Sequence, residues 1–248
     1  MTDKRGACLM CGKPLVYYPS ARKMECSICH KTFDNNVSCE DGHYVCDDCH
    51  SRKGIETIRT MCKKSQDKNP VILMQKVMAD PYIYMHGPEH HVLVGAAILT
   101  AFHNCGGALD FDWALEEMEA RGKEIPGGIC GFWGCCGAAV SCGTAYSILK
   151  KSTPLSGKSW GASNLMTSKA LQAIGEAGGP RCCKRDSFLA ATAATAVIKA
   201  DFGITLEMPK KINCTFSDEN EQCTKRACPF YPDYDKKNGK TFIRPTPP

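Results

Sequence analysis

Eighteen cysteines in 248 residues are the feature of this chain most able to do chemistry, and they are grouped rather than scattered. Seven fall within residues 1–53, where Cys8/Cys11, Cys26/Cys29 and Cys46/Cys49 form CxxC pairs and Cys39 precedes His43 by four positions. A CxxC knuckle turns two thiolates toward one metal, and sulfur and nitrogen donors in this number suit Zn2+, with two ions expected. His30 and His50 stand close enough to replace one of these ligands, so spacing alone leaves the pairing open.

A second thiol group lies far along the chain. The stretch "GICGFWGCCGAAVSCG" (128–143) carries Cys130, Cys135, Cys136 and Cys142, and "PRCCKR" (180–185) adds Cys182 and Cys183. Gly131 and Gly134 allow sharp turns and close backbone approach to a cofactor. Cys136 falls where a helix should start, and there the dipole and free N–H groups favour thiolate. "GGPRCCKR" repeats the device, since Gly-Gly-Pro breaks one helix just before the next. Irregular spacing without CxxC knuckles fits an iron–sulfur cluster better than zinc. The expected cofactor is a [4Fe–4S] cluster on Cys130, Cys136 and Cys182 or Cys183. Three thiolates would leave one iron open as a Lewis acid or sulfide carrier, with Arg181, Lys184 and Arg185 offsetting charge or holding an anionic substrate. The competing reading is packing, because free cysteine behaves as a small apolar side chain. It is preferred for Cys62, Cys105 and Cys142.

"MHGPEHH" (85–91) places His86 before a proline-started helix and Glu89, His90 and His91 in its first turn. Imidazoles at the positive end of a helix stay neutral at physiological pH and suit acid–base work. Glu89 can orient one of them or act as a base, and ligation by His86 and His90 is an alternative. The bland reading is an ordinary cap with one histidine in the core. Near the carboxyl end Cys214, Cys223 and Cys228 read C-x8-C-x4-C-P. They are expected to bind a second cluster, to bind a metal completed from the core, or to complete the first cluster.

The elements that must position these groups are helices. Apolar spacing, caps and breakers predict helices near 54–65, 69–80 (Asn69 as N-cap, Pro70 first), 87–107, 110–123, 137–151, 159–179 and 185–203. Small residues in "GAAVSCG" and "AATAATA" permit close helix approach. No convincing strand series appears. The expected fold class is mainly α. A zinc-binding module (1–53) precedes a helical core with the Cys/His site (54–206) and an extended cysteine-rich tail (207–248). The last stretch, "CPFYPDYDKKNGKTFIRPTPP", reads as a surface-running end able to clasp a second protomer in a homo-oligomer.

Composition narrows the class. Hydrophobic content of 43% and charged content of 23% belong to a globular chain rather than a disordered one. The longest apolar run, "VLVGAAILTAF" (92–102), is too short to span a bilayer, and the first residues lack a signal-peptide core. A cytoplasmic location, no membrane partner and a reducing or anaerobic host follow as expectations. The net charge of +5 admits a nucleic-acid partner but is equally a solvated surface. Neither a GxGxxG after a strand nor a phosphate loop is present, so nucleotide-dependent chemistry has no support.

Three resemblances add to this. "CSICHKTFDNNVSCEDGHYVCDDC" resembles three ligand pairs of a RING-type cross-brace, with Cys8/Cys11 as the fourth. That implies one zinc on Cys26, Cys29, Cys46 and Cys49 and another on Cys8, Cys11, Cys39 and His43. The order "HGPEHH…GCCGAAVSCGTA…PRCCKRDSFLAA" resembles the iron–sulfur serine dehydratases and cysteine desulfidases. "MHGPEHH", "GICGFWGCCGAA", "NLMTSKAL", "GGPRCCKR" and "CTFSDENEQCTKRACPFYP" are similar to an uncharacterised cysteine-rich family of anaerobic archaea and bacteria. That family is sometimes fused or adjacent to S-adenosylmethionine methyltransferase or radical modules, which implies such an enzyme as a protein partner. The expected function is an iron–sulfur enzyme performing sulfur transfer or lyase-type elimination on a small molecule or sulfide. The rival is a non-enzymatic zinc or iron–sulfur adaptor, for RNA or a methyltransferase, or an electron-transfer protein.

Overall fold

The computed structural model describes residues 8–232. Among them a two-stranded antiparallel ribbon precedes eight α-helices. The ribbon, β1 (Leu15–Glu25) and β2 (Thr32–Cys39), departs from the strandless expectation. Its alternation is hard to read because most of β1 is exposed or half-buried on both faces. Its register also slips: Tyr17 pairs with Val37 but Arg22 with Asn35, so β1 bulges around Pro19, which has no N–H to give the ladder. The ribbon separates two cysteine knuckles, and its own apolar cluster consists of little beyond Cys26, Tyr44 and Cys46. So small a core needs a staple.

The helices are α1 (Asp47–Lys64), α2 (Pro70–Met78), α3 (Glu89–Asn104), α4 (Phe111–Lys123), α5 (Ile129–Phe132), α6 (Gly137–Leu149), α7 (Lys158–Ala177) and α8 (Cys183–Phe202). Several starts follow from their caps: Asn69 Oδ1 accepts from the N–H groups of Val71 and Ile72, and Asp110 caps α4 through Trp113 N–H. Two ends differ from the expected ranges. α1 begins at Asp47, with Cys46 as its N-cap, and runs unbroken through residues 53 and 54, joining the cysteine ribbon to the core. α5 is a single unexpected turn inside the Gly-Cys loop. There Gly134, at φ +65°, and Gly128, at φ +80°, take the left-handed turns, whereas Gly131 is helical.

α3 is buried nearly all round and packs against α1, α2, α4, α6 and α8. The small-residue faces work as expected. Gly95 N–H donates to Ser141 Oγ (2.9 Å) across α3 and α6. A methyl on Gly143 would stand 3.1 Å from Thr167 Cβ, so α6 and α7 are in backbone-close contact. The segment after α8 lies on the core: Glu207 N–H donates to Lys68 O (3.0 Å), and Phe216 and Phe230 are buried. The expected clasping arm falls for residues 233–248 outside the described residues. No helix among the described residues is long and apolar enough to cross a membrane.

Candidate functional site

Two ligand sets are formed at the amino-terminal ribbon. Cys8, Cys11, Cys39 and His43 make one, and Cys26, Cys29, Cys46 and Cys49 the other, with the ligand atoms of each within 4.8 Å of one another. The first and third pairs along the chain share one site and the second and fourth the other, as the cross-brace reading expected. A tetrahedral ion with metal–sulfur bonds of about 2.3 Å sets its sulfurs about 3.8 Å apart. The gaps of 3.7 Å for Cys11–Cys39 and 3.8 Å for Cys29–Cys46 match that edge, so each set could hold a zinc-like ion. Burial pushes Cys26 and Cys39 up, yet backbone N–H donors outweigh it and lower them to about 6 and about 7. Cys46 N–H reaches Cys26 Sγ at 3.3 Å, and His43 N–H reaches Cys39 Sγ at the same distance. The substitute histidines are not used. His30 pairs with Glu25 (2.9 Å) and His50 turns inward to Glu89 (3.5 Å).

Between this ribbon and the helical core lies a cavity of about 290 Å³. Cys130 on α5, Cys136 as the N-cap of α6 and Cys183 as the first residue of α8 all line it, together with His86, His90 and His91. Cys182 and Cys135 do not. Two chain segments remote in sequence therefore bring their thiols to one space. Burial pushes Cys136 up to about 12, helped by the Asp186 carboxylate 3.8 Å away, and it pushes Cys183 up as well. Such thiols are not free nucleophiles at neutral pH. Arg181 at the rim donates to Tyr17 of β1, tying the two walls of the cavity together.

The imidazoles are oriented. His91 Nδ1 meets Ile125 O at 2.8 Å and His90 Nδ1 meets Gly87 O at 3.1 Å. A carbonyl only accepts, so each Nδ1 carries the proton and each Nε2 a lone pair, the arrangement typical of metal-ligating or proton-accepting histidine. His90 Nε2 and both His86 nitrogens are buried without a hydrogen-bond partner. Burial keeps all three rings neutral, lowering His86 to about 3 with Arg181 adding to the effect. Glu89 is fully buried behind them. Burial raises its carboxyl, but the flanking His50 and His90 hold it below the usual range.

Cys182 faces the other way. With Cys214, Cys223 and Cys228 it lines a separate small cavity beneath the tail. Lys184 and Arg185 border that cavity rather than the larger one. Lys184 donates to Ile83 O and Tyr84 O (3.3 and 2.8 Å), and Arg185 pairs with Asp186 (3.0 Å). Burial raises Cys182 to about 11 and also raises Cys214 and Cys228. Cys62 and Cys142 are packed in the core away from both cavities, and Cys105 lies half-buried beside Lys68. Sequence reasoning did not find Asp186, Tyr17 or the inward turn of His50. Only an acidic residue following "CCKR" hinted at the first.

The described chain is thus a mainly helical protein with an amino-terminal ribbon whose two ligand sets could hold metal ions, and with thiol-lined cavities. It belongs to the family of unknown function DUF5714, which matches residues 58–231. No curated protein and no solved structure matches the chain.

Proposed function

We propose that this protein is an iron–sulfur enzyme acting on a small anionic substrate in the cavity between ribbon and core. Cys130, Cys136 and Cys183 would hold a [4Fe–4S] cluster, and the two amino-terminal sets would hold structural Zn2+. The observation that carries this is the convergence on one cavity of Cys130, Cys136 and Cys183, from two segments, with His86, His90 and His91 from a third. The residues fit the cluster: burial raises the Cys136 and Cys183 thiols, so they need a partner to ionise, and three ligands would leave one iron free for substrate. When bound, the cluster would supply a Lewis-acidic iron for a leaving hydroxyl or thiol. Arg181 would pair with a substrate carboxylate at the rim. His90 Nε2, its proton fixed on the opposite nitrogen, is placed to accept a proton from the carbon beside that carboxylate. The C–H electron pair then forms the double bond as the hydroxide or hydrosulfide departs with its own bonding pair, a lyase-type elimination.

The test is anoxic purification followed by iron, zinc and acid-labile sulfide analysis and EPR of the reduced protein. The expected result is a brown protein that loses iron and sulfide in Cys130→Ser and Cys136→Ser while keeping its zinc. Small β-hydroxy or β-thiol carboxylates should shift the EPR signal of the wild type and leave that of Arg181→Ala unshifted. Unchanged iron content in both cysteine variants would defeat this reading.

A further inference from the structure

We propose that Cys182, Cys214, Cys223 and Cys228 hold a second, fully ligated [4Fe–4S] cluster, distinct from the centre in the larger cavity. The four side chains converge on one cavity between the start of α8 and the tail. Among the described residues the ligand atoms that gather within 4.8 Å of one another are those of the two ribbon sets, so these four sulfurs stand further apart than the ribbon ligands do. A cube of four irons presents its ligand positions at the corners of a larger tetrahedron, which is the spread that four well-separated thiolates need. The free space is about 20 Å³. That is room for about one water. A cube of four irons and four sulfides is larger than that, so the tail must move outward from the start of α8 when the cluster forms.

The surroundings are those of a buried anionic sulfur cluster. Cys182 Sγ accepts from Arg185 N–H (3.5 Å) and Asn220 Nδ2 (3.6 Å), Cys214 Sγ from Phe216 N–H (3.4 Å), and Cys223 Sγ from Lys225 N–H (3.4 Å). Two buried cations, Lys184 and Arg185, stand at its edge. They face a centre whose charge with four thiolates is roughly −2 in the oxidised state. Phe188, Phe216 and Phe230 close the cavity on its apolar side. With all corners occupied by protein, such a cluster has no iron to offer a substrate, so its work is to carry an electron or to staple the tail.

The experiment uses the full chain, purified anoxically and reconstituted with ferrous iron and sulfide. Cys223 is only half-buried, so Cys223→Ala is the variant least able to disturb the fold, and retained zinc and helical circular dichroism confirm that it has not. The expected result is loss of about four irons and four sulfides per chain relative to wild type. A Cys130→Ser/Cys136→Ser protein should keep a reduced EPR signal that added hydroxy- or thiol-carboxylates do not shift. Proteolysis within 203–232 should accelerate in Cys223→Ala. Iron and sulfide equal to wild type in Cys223→Ala overturns the proposal, as does zinc in place of iron at this site. Loss of all iron in the Cys130/Cys136 variant defeats this cluster and leaves the proposed enzyme standing. Loss of all iron in Cys223→Ala alone defeats the enzyme and leaves this cluster.

Discussion

Gly137 is the position where one added methyl tests the architecture of the larger cavity. It is the first residue of α6, directly after Cys136, and the His91 ring occupies the place where a side chain would begin. A methyl there would stand 2.8 Å from Cε1 of that ring and closer still to Nε2 and Cδ2. The ring cannot simply swing aside, because it is buried and its Nδ1–H is held by Ile125 O at 2.8 Å. Overpacking of this kind costs about 1–3 kcal/mol. Stranding the imidazole donor adds about 1–3 kcal/mol. Replacing glycine by alanine returns about 0.5–1 kcal/mol from the unfolded chain. Gly137→Ala should therefore destabilise by about 1–5 kcal/mol. At about 2–4 °C per kcal/mol for a chain of this size, that is a drop in Tm of several degrees or more. The assay is thermal unfolding of both single variants and the double variant with His91→Ala. Once the ring is gone the three atoms nearest the methyl are gone with it, so its cost should fall sharply, a coupling of at least about 1 kcal/mol. A single variant melting within about 1 °C of wild type, or an equal penalty in both backgrounds, would refute the packing argument.

Other outcomes follow from the same geometry. Cys11→Ala and Cys49→Ala should each remove one zinc and leave the other, since the two sets share no ligand; metal analysis of the purified variants decides it. Cys49 lies in the first turn of α1, so its loss should also speed amide exchange there but not in α3. Asn69→Ala should cost about 0.5–2 kcal/mol in denaturant unfolding, because it strands two N–H groups at the start of α2. Asp67 is raised by burial but lowered on balance by Lys76 and Ser65. A depressed carboxyl contributes stability above its unfolded pKa and loses it as pH falls through the folded value. Lys76→Met should therefore cost about 0.5–1 kcal/mol at neutral pH, this pair being partly exposed, and nothing once Asp67 is protonated. An equal cost at both ends of the pH range would exclude the ion pair as its source.

Much of this architecture was legible because its signals are local. Asn69-Pro70 announces α2, and the spacing of the CxxC pairs, together with the cross-brace likeness, named the ligands that share each amino-terminal site. The ribbon was not legible, because neither face of β1 is buried by a sheet partner and no alternation results. α1 was expected to begin after residue 53 because its first turn is written in Cys, Asp and His, which read as ligands rather than as helix. The choice between Cys182 and Cys183 could not be made from spacing. It depends on which residue is the N-cap and which the first of α8, and side chains at those two positions leave the helix in different directions.

That divergence bears on what the two cavities could do together. Adjacent residues lie about 3.8 Å apart at Cα, so centres ligated by Cys182 and Cys183 cannot be far from one another. Asp186 reinforces the link: its Oδ2 is 3.8 Å from Cys136 Sγ and 3.5 Å from Cys182 N, while Oδ1 takes Arg185. A closed cluster beside an open one is the arrangement expected where a substrate centre exchanges electrons with a relay. It is superfluous for a simple elimination, which moves no net electrons. Two EPR signals that broaden each other in the fully reduced protein, and sharpen singly in Cys223→Ala and in Cys130→Ser, would show the centres to be coupled. Redox-neutral turnover at an unchanged rate in Cys223→Ala would assign the small cavity to stapling the tail.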